Sequence, residues 1–151
     1  MKILYIIPFF APAWAWGGSL ATAYELCKGM QARGHQITVY TTDSLNSKSR
    51  MVVSTGKPVL FEGLEIYYFR NTSNWLAGKH HLQFSPSLFI FAQRNTQRFD
   101  VAHLHLYRTF QNMMINPYLK KNRIPYVLQA HGTLSNIGPK QQLKELYDVF
   151  G

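Results

Sequence analysis

The apolar positions of this chain change their period along its length, and each change marks an element. Residues 3–7 (ILYII) form an unbroken apolar run closed by Pro8, which predicts a buried strand over 2–7. Between residues 19 and 33, Leu20, Ala23, Tyr24, Cys27 and Met30 recur at helical spacing, and Gly34 follows where a C-terminal cap is expected. The β-branched run QITVYT at 36–41 is a second strand, so the chain opens with a predicted parallel strand–helix–strand unit. Residues 58–70 predict a hairpin: a short strand, a turn at Glu62-Gly63, and the strand LEIYYF. Residues 71–81 are polar and contain a glycine, and they read as loop. Ser85 and Pro86 then supply an N-cap and a first helical position for a helix reaching about residue 98.

The alternation resumes with a strand at 100–106, a helical stretch at 109–122 expected to kink at Pro117, and a strand at 125–130. A last helix is predicted at 139–150, with Leu143, Leu146, Tyr147 and Phe150 on one face. Its stripe still runs at Phe150, so it calls for a surface to cover, on this sheet or on a second domain. Strands alternating with helices predict an α/β fold: a doubly wound, mostly parallel, Rossmann-like sheet with helices on both faces and a β-hairpin insertion.

Composition narrows the function. At 151 residues the chain is one domain's length, and 46% hydrophobic against 15% charged residues excludes disorder. A single cysteine excludes a disulfide framework and any cysteine-based zinc cluster. Sixteen basic against seven acidic residues leave a net charge of +9, which favours negatively charged partners. The basic residues are dispersed and no nucleic-acid reader signature is present, so a phosphate-bearing substrate or an anionic membrane face fits better than nucleic acid. The apolar stretch 3–16, with Ala13-Trp14-Ala15, imitates a secretion signal. Pro8 and Pro12 would break the helix such a signal needs, and the stretch is shorter than the roughly 20 residues a bilayer requires.

In an open parallel sheet, ligands bind outside the carboxyl ends of the strands. Three segments fall there. Gly17-Gly18-Ser19 opens the first long helix, where free N–H groups attract phosphate and glycines allow close approach; the plainer alternative is a loop end and a Ser19 cap. A dinucleotide fingerprint does not fit, although Asp43 near the second strand is placed like a ribose ligand. Trp14 and Trp16 on the same loop are either stacking faces for a sugar or lipid chain, or are folded back onto the core. His103 and His105 share one face of a strand, His105 being nearer the cleft, and with His131 they make a three-histidine zinc site conceivable; no carboxylate pattern accompanies it, so no metal is expected. His131-Gly132-Thr133, directly after a strand taken to be buried, is the most specific local signal: its imidazole either donates to a substrate hydroxyl or phosphate, or merely ties down the loop.

In order and spacing, MKILYIIPFFAPAWAWGGS, KGMQARGHQITVYTTD, FDVAHLHL and PYVLQAHGTL together resemble the N-terminal, acceptor-side domain of GT-B glycosyltransferases of the family-4 type, over essentially the whole chain. The resemblance implies metal-free, usually retaining sugar transfer from a nucleotide-sugar to an acceptor, with no cofactor. It implies that Gly17 and Gly18 lie near the donor's diphosphate and sugar, that His131 contacts the transferred sugar as the catalytic residue, and, more weakly, that His105 lines the cleft. It further implies a C-terminal nucleotide-sugar-binding domain, with its basic residues and glutamate pair, that residues 1–151 do not contain. The expectation is therefore the acceptor-side half of a hexosyl-transferring enzyme of cell-surface polysaccharide or glycolipid assembly, inactive as an isolated chain. It would be cytoplasmic and peripheral at the inner membrane face, with a sugar or lipid-linked acceptor. The alternatives are a non-enzymatic α/β module or split subunit that binds a phosphorylated ligand while a partner supplies the catalytic domain, and, more remotely, a secreted polyanion binder.

Overall fold

The structure is a computed structural model and describes residues 1–132. Six strands form one sheet: β1 (Lys2–Ile6), β2 (Gln36–Thr42), β3 (Pro58–Phe61), β4 (Leu64–Phe69), β5 (Val101–His105) and β6 (Tyr126–Gln129). Their order is β3-β4-β2-β1-β5-β6, with every neighbouring pair parallel except the β3–β4 hairpin. The helices are α1 (Gly18–Ala32), α2 (Asn74–His80), α3 (Pro86–Asn95) and α4 (Phe110–Lys121).

Alternation along the strands builds two cores. Ile3, Tyr5 and Ile7 join Ile37, Val39, Ile66 and Tyr68 under Leu20, Ala23, Tyr24 and Cys27 of α1. Leu4 and Ile6 point the other way, with Tyr40, Tyr67, Phe69 and Leu104, and meet Leu88, Phe89 and Ala92 of α3 and Ile115 and Leu119 of α4. Helices thus lie on both faces, as the doubly wound pattern requires. The hairpin turns at Glu62 (φ 48°) and Gly63 (φ 83°), two consecutive left-handed residues that match the twist of the flanking strands.

Three expectations change. Residues 71–81 are not all loop, because α2 forms within them: the Ser73 hydroxyl accepts from the Leu76 N–H at 3.3 Å, and Gly78 sits so close to Ser47 that a Cβ would lie 2.5 Å from its Cβ. A helix this short draws its stability from such tertiary contact rather than from propensity. Ser85 precedes α3, but its hydroxyl lies 3.1 Å from that of Ser87 instead of capping the helix; Pro86 does begin it. β6 is an edge strand among the described residues, with Val127 56% exposed, and not the buried strand expected before His131. Pro117 lies inside α4, which continues to Lys121. The predicted helix at 139–150 lies outside the described residues.

Candidate functional site

The chain goes from β1 outward to β2 and β4 on one side, then crosses to β5 and β6 on the other, so the topological switch lies between β1 and β5. The carboxyl ends of these strands carry the residues singled out above.

The loop leaving β1 is itself core. Ile7, Phe9, Phe10, Ala11 and Ala13 are buried, and Ala11 C=O accepts from the Tyr68 hydroxyl at 2.5 Å. Trp16 is folded back: its ring stacks on Phe9 at 5.0 Å, its Nε1–H donates to Ser44 C=O at 3.2 Å, and its edge meets His81. Trp14 packs edge-on against Tyr24 and stays 48% exposed, so it keeps a surface for a ligand. Gly17 holds φ 88° and ψ −154°, a conformation that suits glycine. It is the residue before α1, so Ser19 is not the cap but lies within the first turn. No acidic residue sits in its first turn, and among the described residues no side chain caps this helix start and a Cβ on Gly17 or Gly18 would meet nothing within 4 Å. Gly17 and Gly18 are exposed, so the positive end of the helix is open to solvent.

Across the switch stand the histidines. His103 pairs in register with Tyr5, and Tyr5 faces α1, so His103 and His105 lie on the α1 side of the sheet; the Tyr5 ring is 5.0 Å from one and 5.5 Å from the other. His105 is fully buried. The Asn112 amide donates to the carbonyls of His105 and Leu106, at 3.2 and 2.5 Å, and thereby holds the end of β5 against the start of α4. Beyond β6, His131 (φ 49°) and Gly132 (φ 78°) take left-handed conformations in succession and turn the His131 ring back over β5. Its Nε2 lies 2.8 Å from His105 Nδ1. Burial, followed by the neighbouring imidazoles His103 and His131, lowers the His105 pKa to about 3. Burial and then His131 lower that of His103, against a hydrogen bond that its ring donates to Gln129, and burial lowers that of His131. At neutral pH the cluster supplies hydrogen-bonding nitrogens without charge.

The structure thus joins His131 to His105 and puts the Gly17-Gly18 helix start at the same end and on the same face of the sheet. A Cβ at Gly132 would also meet nothing within 4 Å among the described residues, and Thr133 lies outside them. Among the described residues, no group of three His, Cys, Asp or Glu is placed to hold a metal ion. Asp43 is no ribose ligand: it is buried and ion-paired to Arg50 at 3.1 Å, and it accepts from the Asn71 N–H at 2.8 Å. Asn112 is the residue that sequence reasoning overlooked; its signal was Thr109 three positions earlier, whose hydroxyl accepts the Asn112 N–H as a helix cap.

A search of curated proteins returns no match. The family model described as Glycosyltransferase Family 4 matches residues 16–149, which takes in α1, the whole histidine cluster and the loops between them. On that match, and on a sheet whose switch point carries these residues, the chain belongs to glycosyltransferase family 4.

Proposed function

We propose that the chain is the acceptor-side half of a retaining, nucleotide-sugar-dependent hexosyltransferase. Family membership supports sugar transfer as the chemistry. The observation that carries the finer reading is the rim itself: an imidazole held in place at the end of β5, beside the switch point, on the face where an uncapped helix start opens to solvent. The N–H groups at Gly18 and Ser19 suit a donor diphosphate, His131 is the catalytic residue that hydrogen-bonds the sugar in transfer, and Trp14 offers its exposed face to the acceptor. Because the imidazoles are neutral, most of the charge on the leaving diphosphate has to be balanced by a second, nucleotide-sugar-binding domain.

A radiolabelled sugar-transfer assay tests this. Residues 1–151 alone are expected to give no product, whereas the enzyme that includes the nucleotide-sugar-binding domain is expected to lose about 10²–10³-fold in kcat/KM on His131→Ala. Robust product from residues 1–151, or an unchanged rate in the variant, overturns the proposal.

We also propose a place in cell-surface polysaccharide or glycolipid assembly, on the cytoplasmic side of an anionic membrane. The net charge of +9 and the exposed Trp14 support it, and among the described residues no helix is long and apolar enough to cross a membrane. In liposome flotation the chain is expected to rise with anionic vesicles and to be released by high salt, where the charges are screened. Equal flotation with neutral vesicles counts against it.

A further inference from the structure

We propose that His105 is a positioning residue that holds His131 as its Nδ1–H tautomer, so that the rim presents a hydrogen-bond donor, and not an acceptor, to an oxygen bound in the groove. The tautomer stands on geometry alone; its use on a ligand rests on the function proposed above.

The two rings are inclined by 24°, with centroids 5.1 Å apart and bonded nitrogens 2.8 Å apart. What remains, about 1.2 Å per ring, is the distance from an imidazole centre to its nitrogen, so the bond axis runs radially through both rings, along the lone-pair directions. Between two neutral imidazoles that axis holds one proton, and there are two ways to supply it. If His131 Nε2–H donates, His105 must carry its own proton on Nε2. That atom is fully buried and has no hydrogen-bond partner among the described residues, so an N–H would be stranded there. If His105 Nδ1–H donates, the stranded atom is a bare lone pair. Orphaned buried N–H groups are the rarer of the two in folded proteins, and a stranded donor carries its full desolvation penalty. The second arrangement therefore wins. It leaves His131 Nε2 occupied as an acceptor and puts its proton on Nδ1, the nitrogen not engaged with His105. The His105 ring has little room to turn: it is buried among the rings of Tyr5, His103 and His131, whose centroids lie 5.5, 4.3 and 5.1 Å away.

The test is the nitrogen spectrum of the histidines. Long-range ¹H–¹⁵N correlation on the ¹⁵N-histidine-labelled chain at about pH 7.5, where the ring is neutral, is expected to show His105 and His131 both as Nδ1–H, with assignment by loss of the His131 signals in His131→Gln. A wild-type His131 protonated on Nε2 overturns the proposal, and this reading does not depend on any His105 variant folding. In His105→Phe the His131 spectrum is expected to shift toward the Nε2–H form; a folded variant in which His131 stays Nδ1–H shows that His105 does not set the tautomer, and overturns it as well. Unchanged sugar transfer in His131→Ala beside an Nδ1–H wild-type spectrum would sink the functional reading and leave the tautomer assignment standing.

Discussion

Asp43→Ala is expected to lower folding stability by about 3 kcal/mol, a large part of what a domain of this size holds in reserve. Asp43 follows β2 and is nearly sealed from water. Its carboxylate takes the Arg50 guanidinium at 3.1 Å and the Asn71 N–H at 2.8 Å, while its backbone N–H donates to Phe69 C=O and its carbonyl accepts from the Met51 N–H. Arg50 also donates to the carbonyls of Asn71 and Thr72. One carboxylate therefore clips the segment after β2 to the segment after β4. Alanine leaves a guanidinium and a buried amide without their acceptor, and removing one partner of a buried pair typically costs about 3–5 kcal/mol. The lower end applies because the Arg50 side chain is 30% exposed and can still reach water. Asp43→Asn keeps a neutral acceptor for Asn71 and is expected to lose less. Urea unfolding monitored by circular dichroism measures both, and a loss under about 1 kcal/mol for alanine would show that the clip does not hold the rim together.

Acid is expected to destabilise the chain from the histidine cluster outward. With the folded pKa of His105 lowered to about 3, the unfolded chain takes up a proton below pH 6.5 that the folded chain refuses. Stability from this residue is thus complete above pH 6.5 and falls as the pH drops toward 3. The slope approaches about 1.4 kcal/mol per pH unit, or about 2–3 kcal/mol by pH 4.5 for His105 alone. His103 and His131, lowered in the same direction, add to the loss. Urea midpoints between about pH 7.5 and 4.5 would display the trend, and His105→Phe is expected to flatten it. A midpoint that does not move over this range would mean that the buried imidazole is protonated without penalty.

What the sequence disclosed, and what it hid, follow from the range of the forces involved. β1, α1, β2 and the Glu62-Gly63 turn were legible because periodicity and turn chemistry are local, and the structure reproduces them within a residue or two. The rule that ligands gather at carboxyl ends singles out Gly17, Gly18, His105 and His131 in the sequence, and the structure places them at the same end of the sheet. The short helix α2 was not legible, because it depends on Ser47, far away in sequence, pressing on Gly78. Asp43 suggested a ligand contact, since nothing near it in the chain reveals that Asn71 donates to it from 28 residues away. The His105–His131 bond was half visible: topology makes the strand ends neighbours, but the bond needs the left-handed turn at His131, which an ordinary residue seldom adopts.

The two-sided strands set how this site can drift over evolutionary time. His103 and His105 share a layer with Tyr5, while Leu104 lies in the opposite one. One extra residue inserted in β5 would send the imidazoles into the oily layer beneath α3 and α4 and bring a leucine up to the groove. Insertions there cannot accumulate without destroying core and groove together, whereas the connections at the rim are free to lengthen. New acceptor preferences should therefore arise by growth of those connections, around a histidine pair whose place is kept by the packing beneath it.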